Sequence, residues 1–163
     1  MTAKLLPFIA VCQVAGGVYG FWLIDQVFGG IPESGTRRTL VAVLATFYGL
    51  SFIAGALMLR GHHLGLTLTA ILQLPQLIQV YGPALTVYCF TGAMAAVVLK
   101  SNGVMTLKAM LGSGFTFELD GSSEPAGMGL NIVAAWVLWT IWHTPSPTSR
   151  RSKESPPSDK VAA

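Results

Sequence analysis

Three glutamines recur at every third position in one apolar stretch, and they are the polar residues there best placed to bind a ligand. Gln73, Gln76 and Gln79 cover about 120° of a helix with 3.6 residues per turn. Pro75 lies among them and removes a backbone donor, so we expect a kink. Where a kinked helix crosses lipid, its polar groups must face protein or water. The stripe is therefore a candidate site for a polar ligand, a quinone headgroup or an ion.

The same glutamines have a more ordinary use, which we favour. A glutamine amide has no titratable proton to relay, but it can donate and accept hydrogen bonds. Between membrane helices, each such bond contributes about 0.6 kcal/mol. Hydrogen bonding to a neighbouring helix therefore explains the stripe without a ligand.

Asp25 is the only carboxylate inside an apolar run of the sequence, the run 5–28. An acid buried in a membrane is costly, and it is by default a hypothesis for a functional site. This one lies near the end of its run, where it can stay hydrated or pair with Arg37 or Arg38. We therefore favour an interfacial acid over a proton-coupling role.

The histidines and cysteines give weak evidence for a metal or a haem. His62 and His63 are adjacent, so they do not share one face of a helix as metal ligands usually do. His143 could join them only if the last helix ends on the same side of the membrane. Cys12 and Cys89 stand far apart without a CxxC spacing. The sequence also lacks a Ser–His–Asp arrangement and paired catalytic carboxylates. We expect no catalytic residue, no metal and no cofactor, and we favour a protein that is not an enzyme.

Composition defines the class of protein that must position these residues. Of 163 residues, 52% are hydrophobic and 10% are charged, whereas about 25% are charged in a typical soluble domain. Four or five apolar runs account for the excess, each near the roughly 20 residues that cross a bilayer. The sequence predicts an all-α polytopic membrane protein with the lipid bilayer as its partner. Its basic residues form no pattern typical of a nucleic-acid interface.

The predicted bundle has four transmembrane helices, at about 5–28, 39–59, 64–81 and 125–142. The apolar region that begins at residue 64 continues to residue 99, and one straight helix of that length would extend about 54 Å. Pro75 and the Gly82–Pro83 pair divide it. We therefore expect 83–99 to be re-entrant or interfacial, with a fifth span as the alternative.

A polar stretch, 104–120, is expected outside the membrane as a small β-hairpin. Within 115–119, three apolar side chains alternate with two polar ones, and this period of two indicates an amphipathic strand. Residues 104–111 are expected to pair with it across a turn at 112–114.

Small residues four positions apart predict close packing of the helices, because they allow two backbones to approach each other. They favour a compact bundle and association with a second copy or another membrane protein, without identifying that partner. The pairs are Gly16 with Gly20, Ser51 with Gly55, and Gly92 with Ala96.

Positive charges orient the predicted bundle. With four spans, six basic residues fall on the side of the N terminus and four on the other side, which favours two cytoplasmic termini. The tail 144–163 is basic and rich in proline and serine, so we expect it to be disordered. The expected location is the bacterial inner membrane, with several passes.

The leading functional hypothesis is a structural, accessory or interaction subunit, because packing residues are frequent and catalytic groups are missing from the sequence. Two alternatives remain open. One is a small transporter or channel that uses the broken, glutamine-rich third helix. The other is a quinone- or haem-linked redox subunit that uses the histidines.

Overall fold

The computed structural model describes residues 5–30, 32–119 and 125–144. The predicted tail therefore lies outside the described residues from position 145 onward. Along the chain, three helices are followed by four strands and a last helix. These elements are α1 (Leu6–Phe28), α2 (Gly35–Leu59), α3 (His63–Leu77), β1 (Ile78–Tyr81), β2 (Leu85–Lys100), β3 (Met105–Leu119), β4 (Gly127–Asn131) and α4 (Ile132–Trp142).

The first two predicted helices are present, and α2 begins four residues earlier than expected. The earlier start has a local cause, because the Ser34 side chain caps the helix by accepting a hydrogen bond from the Arg37 N–H at 3.2 Å. Close packing joins α1 to α2. A Cβ on Gly20 would overlap the Tyr48 ring, and one on Gly55 would lie 2.6 Å from the carbonyl oxygen of Ala10.

The prediction of an all-α, four-span bundle is wrong. The structure contains a four-stranded antiparallel sheet. Within the described residues, α1 and α2 are the two helices long and apolar enough to cross a membrane. Short apolar runs fit a buried strand as well as a helix. The run that forms β2 is rich in β-branched and aromatic residues, which favour the strand.

The predicted third and fourth spans are both shorter helices than expected. Helix α3 ends two residues after Pro75, and the chain continues directly into β1. In the last apolar run, Asn131 ends β4 and caps α4, because its side-chain oxygen accepts from the Val133 N–H at 3.1 Å. The remaining helix has 11 residues and is about 16 Å long. Neither α3 nor α4 therefore spans a bilayer by itself.

Two further expectations are wrong, namely the re-entrant or interfacial segment 83–99 and the β-hairpin 104–120. The first is β2, and the second is one continuous strand, β3, which pairs with β2 from Leu85↔Leu119 to Leu99↔Met105. Residues 112–114 therefore form no turn. Gly112 pairs with Gly92, and both have a positive φ, of +107° and +83°. Glycine tolerates this conformation, so the two strands depart from regular geometry at the same level.

Three strands close on one another. The sheet order is β1-β4-β2-β3, and β1 pairs additionally with β2 at Val80↔Val87. Since β4 pairs with the second half of β2, strands β1, β4 and β2 form a ring. We call them the strand ring. Its interior is a core of buried side chains from the sheet: Tyr81, Phe90, Met94, Ala96 and Val98.

Candidate functional site

Gln76 lies where the helices meet the sheet, and it is buried. Its side-chain oxygen accepts the backbone N–H of Thr91 at 2.9 Å. Its amide nitrogen donates to the Leu72 carbonyl at 2.9 Å and lies 3.3 Å from the Thr91 hydroxyl. The two ends of this amide therefore join α3 to β2. We call Gln76, Thr91 and Ser51 the junction cluster, because the Ser51 hydroxyl of α2 donates to the Thr91 hydroxyl at 3.3 Å.

Gln79 does not share a helical stripe with Gln76, since it lies on β1 inside the strand ring. It is fully buried. Its oxygen accepts the Tyr81 hydroxyl at 2.6 Å, and its amide nitrogen lies 2.7 Å from the Met94 sulfur. The predicted stripe is broken here because the helix ends at Leu77 and a strand places alternate residues on opposite faces.

Two further buried polar side chains, Gln13 of α1 and Thr69 of α3, lie against each other between those helices. The Thr69 hydroxyl is 2.8 Å from the side-chain oxygen of Gln13 and 2.7 Å from the Gly65 carbonyl, and it donates to one of them at a time. Both Thr69 and Gln13 are buried. Among the described residues, the Gln13 amide nitrogen has no hydrogen-bond partner.

Gln73 and Asp25, the other two predicted site residues, differ in exposure. Gln73 is buried on α3. Asp25 is exposed near the end of α1, and its backbone carbonyl accepts the Gly29 N–H at 2.7 Å. The structure therefore brings Gln73 and Gln76 to one helix, places Gln79 on the next strand and leaves Asp25 at the far end of α1.

The loop after α1 carries an exposed ion pair. Arg38 Nε donates to Glu33 Oε1 at 2.8 Å. This hydrogen bond, helped by the charge of Arg37, holds the pKa of Glu33 below its usual value. Glu33, Arg37, Arg38 and Val41 line a shallow cavity of about 150 Å³.

The predicted packing residues join different kinds of element. Gly20 and Gly55 lie between α1 and α2, whereas Gly16 of α1 lies against the backbone of Gly92 on β2. At the same level, the Ser113 hydroxyl of β3 donates to the Gly16 carbonyl at 2.6 Å. Ala96 is buried in the strand ring. Gly92 and Ala96 lie on a strand, so the helical spacing that suggested them does not apply.

The chemistry of the junction cluster is limited to donating and accepting hydrogen bonds. In the part of the chain that the structure describes, no three His, Cys, Asp or Glu side chains come together as a metal site. His62 and His63 lie at the start of α3, while His143 follows α4 and its Nδ1 lies 2.8 Å from the Trp139 carbonyl.

Sequence reasoning missed Thr91, Ser113 and Thr69, which connect the elements. A hydroxyl residue in an apolar run has no distinctive pattern, because it can also bond to its own helix backbone. Gln13 offered a signal, since it is the one glutamine of the first apolar run before Asp25.

Comparison with known protein families, with curated proteins and with solved structures finds no match to this chain.

Proposed function

We propose that the chain is an integral membrane protein in which α1 and α2 cross the bilayer as an antiparallel pair, and that it serves as a structural or accessory subunit. The observation that carries this proposal is the distribution of polarity. Many large apolar side chains of the helices are exposed, whereas several of their polar side chains are buried, including Gln13, Ser51, Thr69 and Gln76.

The two long helices are largely exposed. In their most apolar windows, 39% of the α1 residues and 22% of the α2 residues are buried. The core helix of a soluble protein would be mostly buried, because burial is what stabilises it in water. The exposed side chains include Val18, Phe21 and Trp22 on α1 and Val43, Phe52 and Ile53 on α2. Lipid solvates these groups without cost.

The buried side of each of the first three helices includes a polar side chain. Gln13 of α1, Ser51 of α2 and Gln76 of α3 are each at most 2% exposed. Polar groups in a membrane protein face the interior, where they find partners. This pattern also favours a retained α1 over a cleaved leader, since Gln13 lies against Thr69 of α3.

The accessory role rests on how the glutamines are used. Gln76 joins α3 to β2, and Gln79 joins Tyr81 to Met94 inside the strand ring. Amides engaged by neighbours in this way stabilise one arrangement of the backbone. The polarity at Gln76 and Gln79 is thus explained by assembly of the fold, without a transported ion or a bound quinone.

The test is the sidedness of the two loops that flank α2. In a background with Cys12→Ala and Cys89→Ala, Ser34→Cys and His62→Cys each introduce one exposed thiol. The protein is reconstituted in liposomes and labelled with a membrane-impermeant maleimide before and after lysis. We expect the two thiols to be labelled from opposite sides. Labelling from the same side, or release of the protein from membranes by alkaline carbonate, would contradict the proposal.

A further inference from the structure

One face of the sheet is apolar across all four strands. The pairing register places Ile78, Leu130, Val97 and Leu107 in one cross-strand row, and Val80, Met128, Leu99 and Met105 in the next row. Residues paired directly across strands point to the same side of a sheet. We call these eight residues the apolar platform. It extends roughly 14 Å across the strands, from three inter-strand spacings of about 4.8 Å.

The platform is exposed, although nothing in it is polar. Ile78, Leu99 and Leu130 are each at least half exposed, and Met105 and Leu107 are 68% and 70% exposed. A sheet with one face in water normally carries polar residues on that face. Exposed apolar patches of this kind mark contacts with a protein or a membrane.

Between the two platform rows, three residues that face the opposite side of the sheet are buried, and one of them is polar. Gln79, Gly129 and Val98 form the row between the two platform rows, and all three are buried. Lys108 also belongs to this face, because it pairs with Ala96, and its Nζ lies 4.2 Å from the centre of the Tyr81 ring. The sheet therefore repeats the polarity of the helices, with polar groups inside and alkyl groups outside.

The platform is continuous with the outer surface of α1. The next platform-side residue along β3 is Ala109, followed by Leu111, which is 89% exposed. Gly112 then lies against the ring of Tyr19, because a Cβ there would be 3.2 Å from that ring. Tyr19 is itself exposed, and its ring lies 5.2 Å from that of Trp22.

We infer that the apolar platform rests on the acyl chains of the bilayer, so that the sheet is a second membrane-contacting surface. This inference rests on the proposed membrane location of α1 and α2. The platform is continuous with the exposed side of α1, and its alkyl and thioether side chains match acyl chains because they carry no charge.

The edge of β3 sets the depth of the platform. In the described part of the chain, β3 pairs with β2 and with no other strand. The N–H and C=O groups on its other edge need partners that hydrocarbon cannot supply. Water and ester oxygens in the headgroup layer supply them. The platform therefore lies at the boundary between acyl chains and headgroups, more shallow than the middle of α2.

Spin labels on single cysteines test this position. In the Cys12→Ala, Cys89→Ala background, Leu107→Cys and Leu130→Cys report the platform. Val43→Cys on α2 is the lipid control, and Asn102→Cys in the β2–β3 turn is the water control. Collision of each label with oxygen and with a water-soluble nickel chelate is measured in liposomes of phosphatidylcholine and phosphatidylglycerol. We expect oxygen-to-nickel ratios at 107 and 130 that are several-fold above that at 102 and below that at 43.

Three other outcomes are distinguishable, and each contradicts either the inference or the proposed function. Platform labels that behave like the label at 102, with a lipid-like label at 43, overturn the inference and leave the membrane location of α2 standing. A water-like label at 43 overturns the proposed function itself. Platform labels shielded from both reagents, with dipolar broadening that disappears on dilution with unlabelled protein, show a second copy on the platform and also overturn the inference.

A second measurement uses the unmodified chain, so that its result does not depend on whether a cysteine variant folds. Phospholipids with a diazirine on the acyl chain are photolysed in the same liposomes, and the modified peptides are identified by mass spectrometry. We expect modification within 105–111 and 128–130 as well as in α2. Modification of α2 without these two segments contradicts the inference.

Discussion

The helix pair α1–α2 and the strand ring achieve close packing in opposite ways. Between the helices, missing side chains bring the backbones together, as at Gly55, whose Cα faces the Ala10 carbonyl. In the ring and at its junction with α3, side-chain amides occupy the space and join the elements, as Gln79 and Gln76 do. A glycine contact therefore depends on shape alone, whereas an amide contact also requires that each donor finds an acceptor.

This comparison gives an order for the effects of substitution. Overlap with a rigid backbone cannot be relieved locally, so the helix pair is expected to be the most sensitive. Loss of an amide leaves unpaired buried groups, which neighbouring residues relieve in part. Loss of one hydroxyl inside the ring removes a single hydrogen bond.

The largest expected effect is that of Gly55→Ala. The new Cβ would lie 2.6 Å from the Ala10 carbonyl oxygen and 3.0 Å from the Val14 nitrogen, both backbone atoms. We expect α1 and α2 to move apart, with a loss of about 3 kcal/mol in unfolding free energy, at the upper end for overpacking. The measurement is unfolding by denaturant in detergent micelles, followed by circular dichroism.

Gly49→Ala is the matched control on the same helix. A Cβ there would meet only the tip of the Phe21 ring, at 3.5 Å. Alanine also has the higher helix propensity, so we expect unchanged or slightly increased stability. Equal destabilisation by both substitutions would refute the close approach of the helices at Gly55.

Gln76→Leu is expected to have the second largest effect. Leucine fills a similar volume, but the Thr91 N–H loses its acceptor and the Leu72 carbonyl loses a donor. We expect a loss of about 2 kcal/mol, since an unsatisfied buried polar group costs about 1–3 kcal/mol. Gln26→Leu, at an exposed position of α1, is the control and should leave stability nearly unchanged.

The same variant separates a structural glutamine from a transport site. If the chain conducts an ion or a polar solute in liposomes, Gln76→Leu protein that retains its native circular dichroism should show unchanged flux. Abolished flux in a stable, folded variant would instead support the transporter alternative and remove the accessory role.

The smallest expected effect is that of Tyr81→Phe in the strand ring. The substitution removes the hydroxyl that donates to Gln79 at 2.6 Å and keeps the aromatic ring in the core. We expect a loss of about 1 kcal/mol, the lower end of the cost of leaving one buried polar group, here the Gln79 oxygen, without its partner. Tyr19→Phe, on the exposed side of α1, should change stability much less. Similar losses for the two tyrosines would show that the ring hydrogen bond contributes nothing specific.

The helix pair could be predicted from the sequence because its signals are local. Two apolar runs of membrane length, separated by a loop of glycine, proline and charged residues, define α1 and α2. Gly20 and Gly55 stood out by spacing for the same reason, since four residues make one helical turn. The contact of Gly16 with Gly92 had no such signal, because a helix and a strand meet there.

Most of the sheet could not be predicted from the sequence because its signals are not local; the exception is 115–119, whose alternation predicted a strand and which lies in β3. The run that forms β2 is apolar on both faces, so it lacks the alternation that identifies a half-buried strand. Its outer face rests on the helices near Thr91 and forms the platform beyond Ala95, while its inner face closes the ring. Both faces of β2 therefore have apolar surroundings, and these surroundings exist only in the folded protein.

The scarcity of charge, the two long apolar helices and the glutamines within apolar runs are all evident from the sequence. Composition and 3.6-residue periodicity are properties of the chain, so they can be recognised in the sequence before the fold is known. The fold, in contrast, places Gln76 and Gln79 on different kinds of element and brings apolar side chains from four strands to one face. Strand register is set by pairing between segments far apart in sequence, and no local pattern records it.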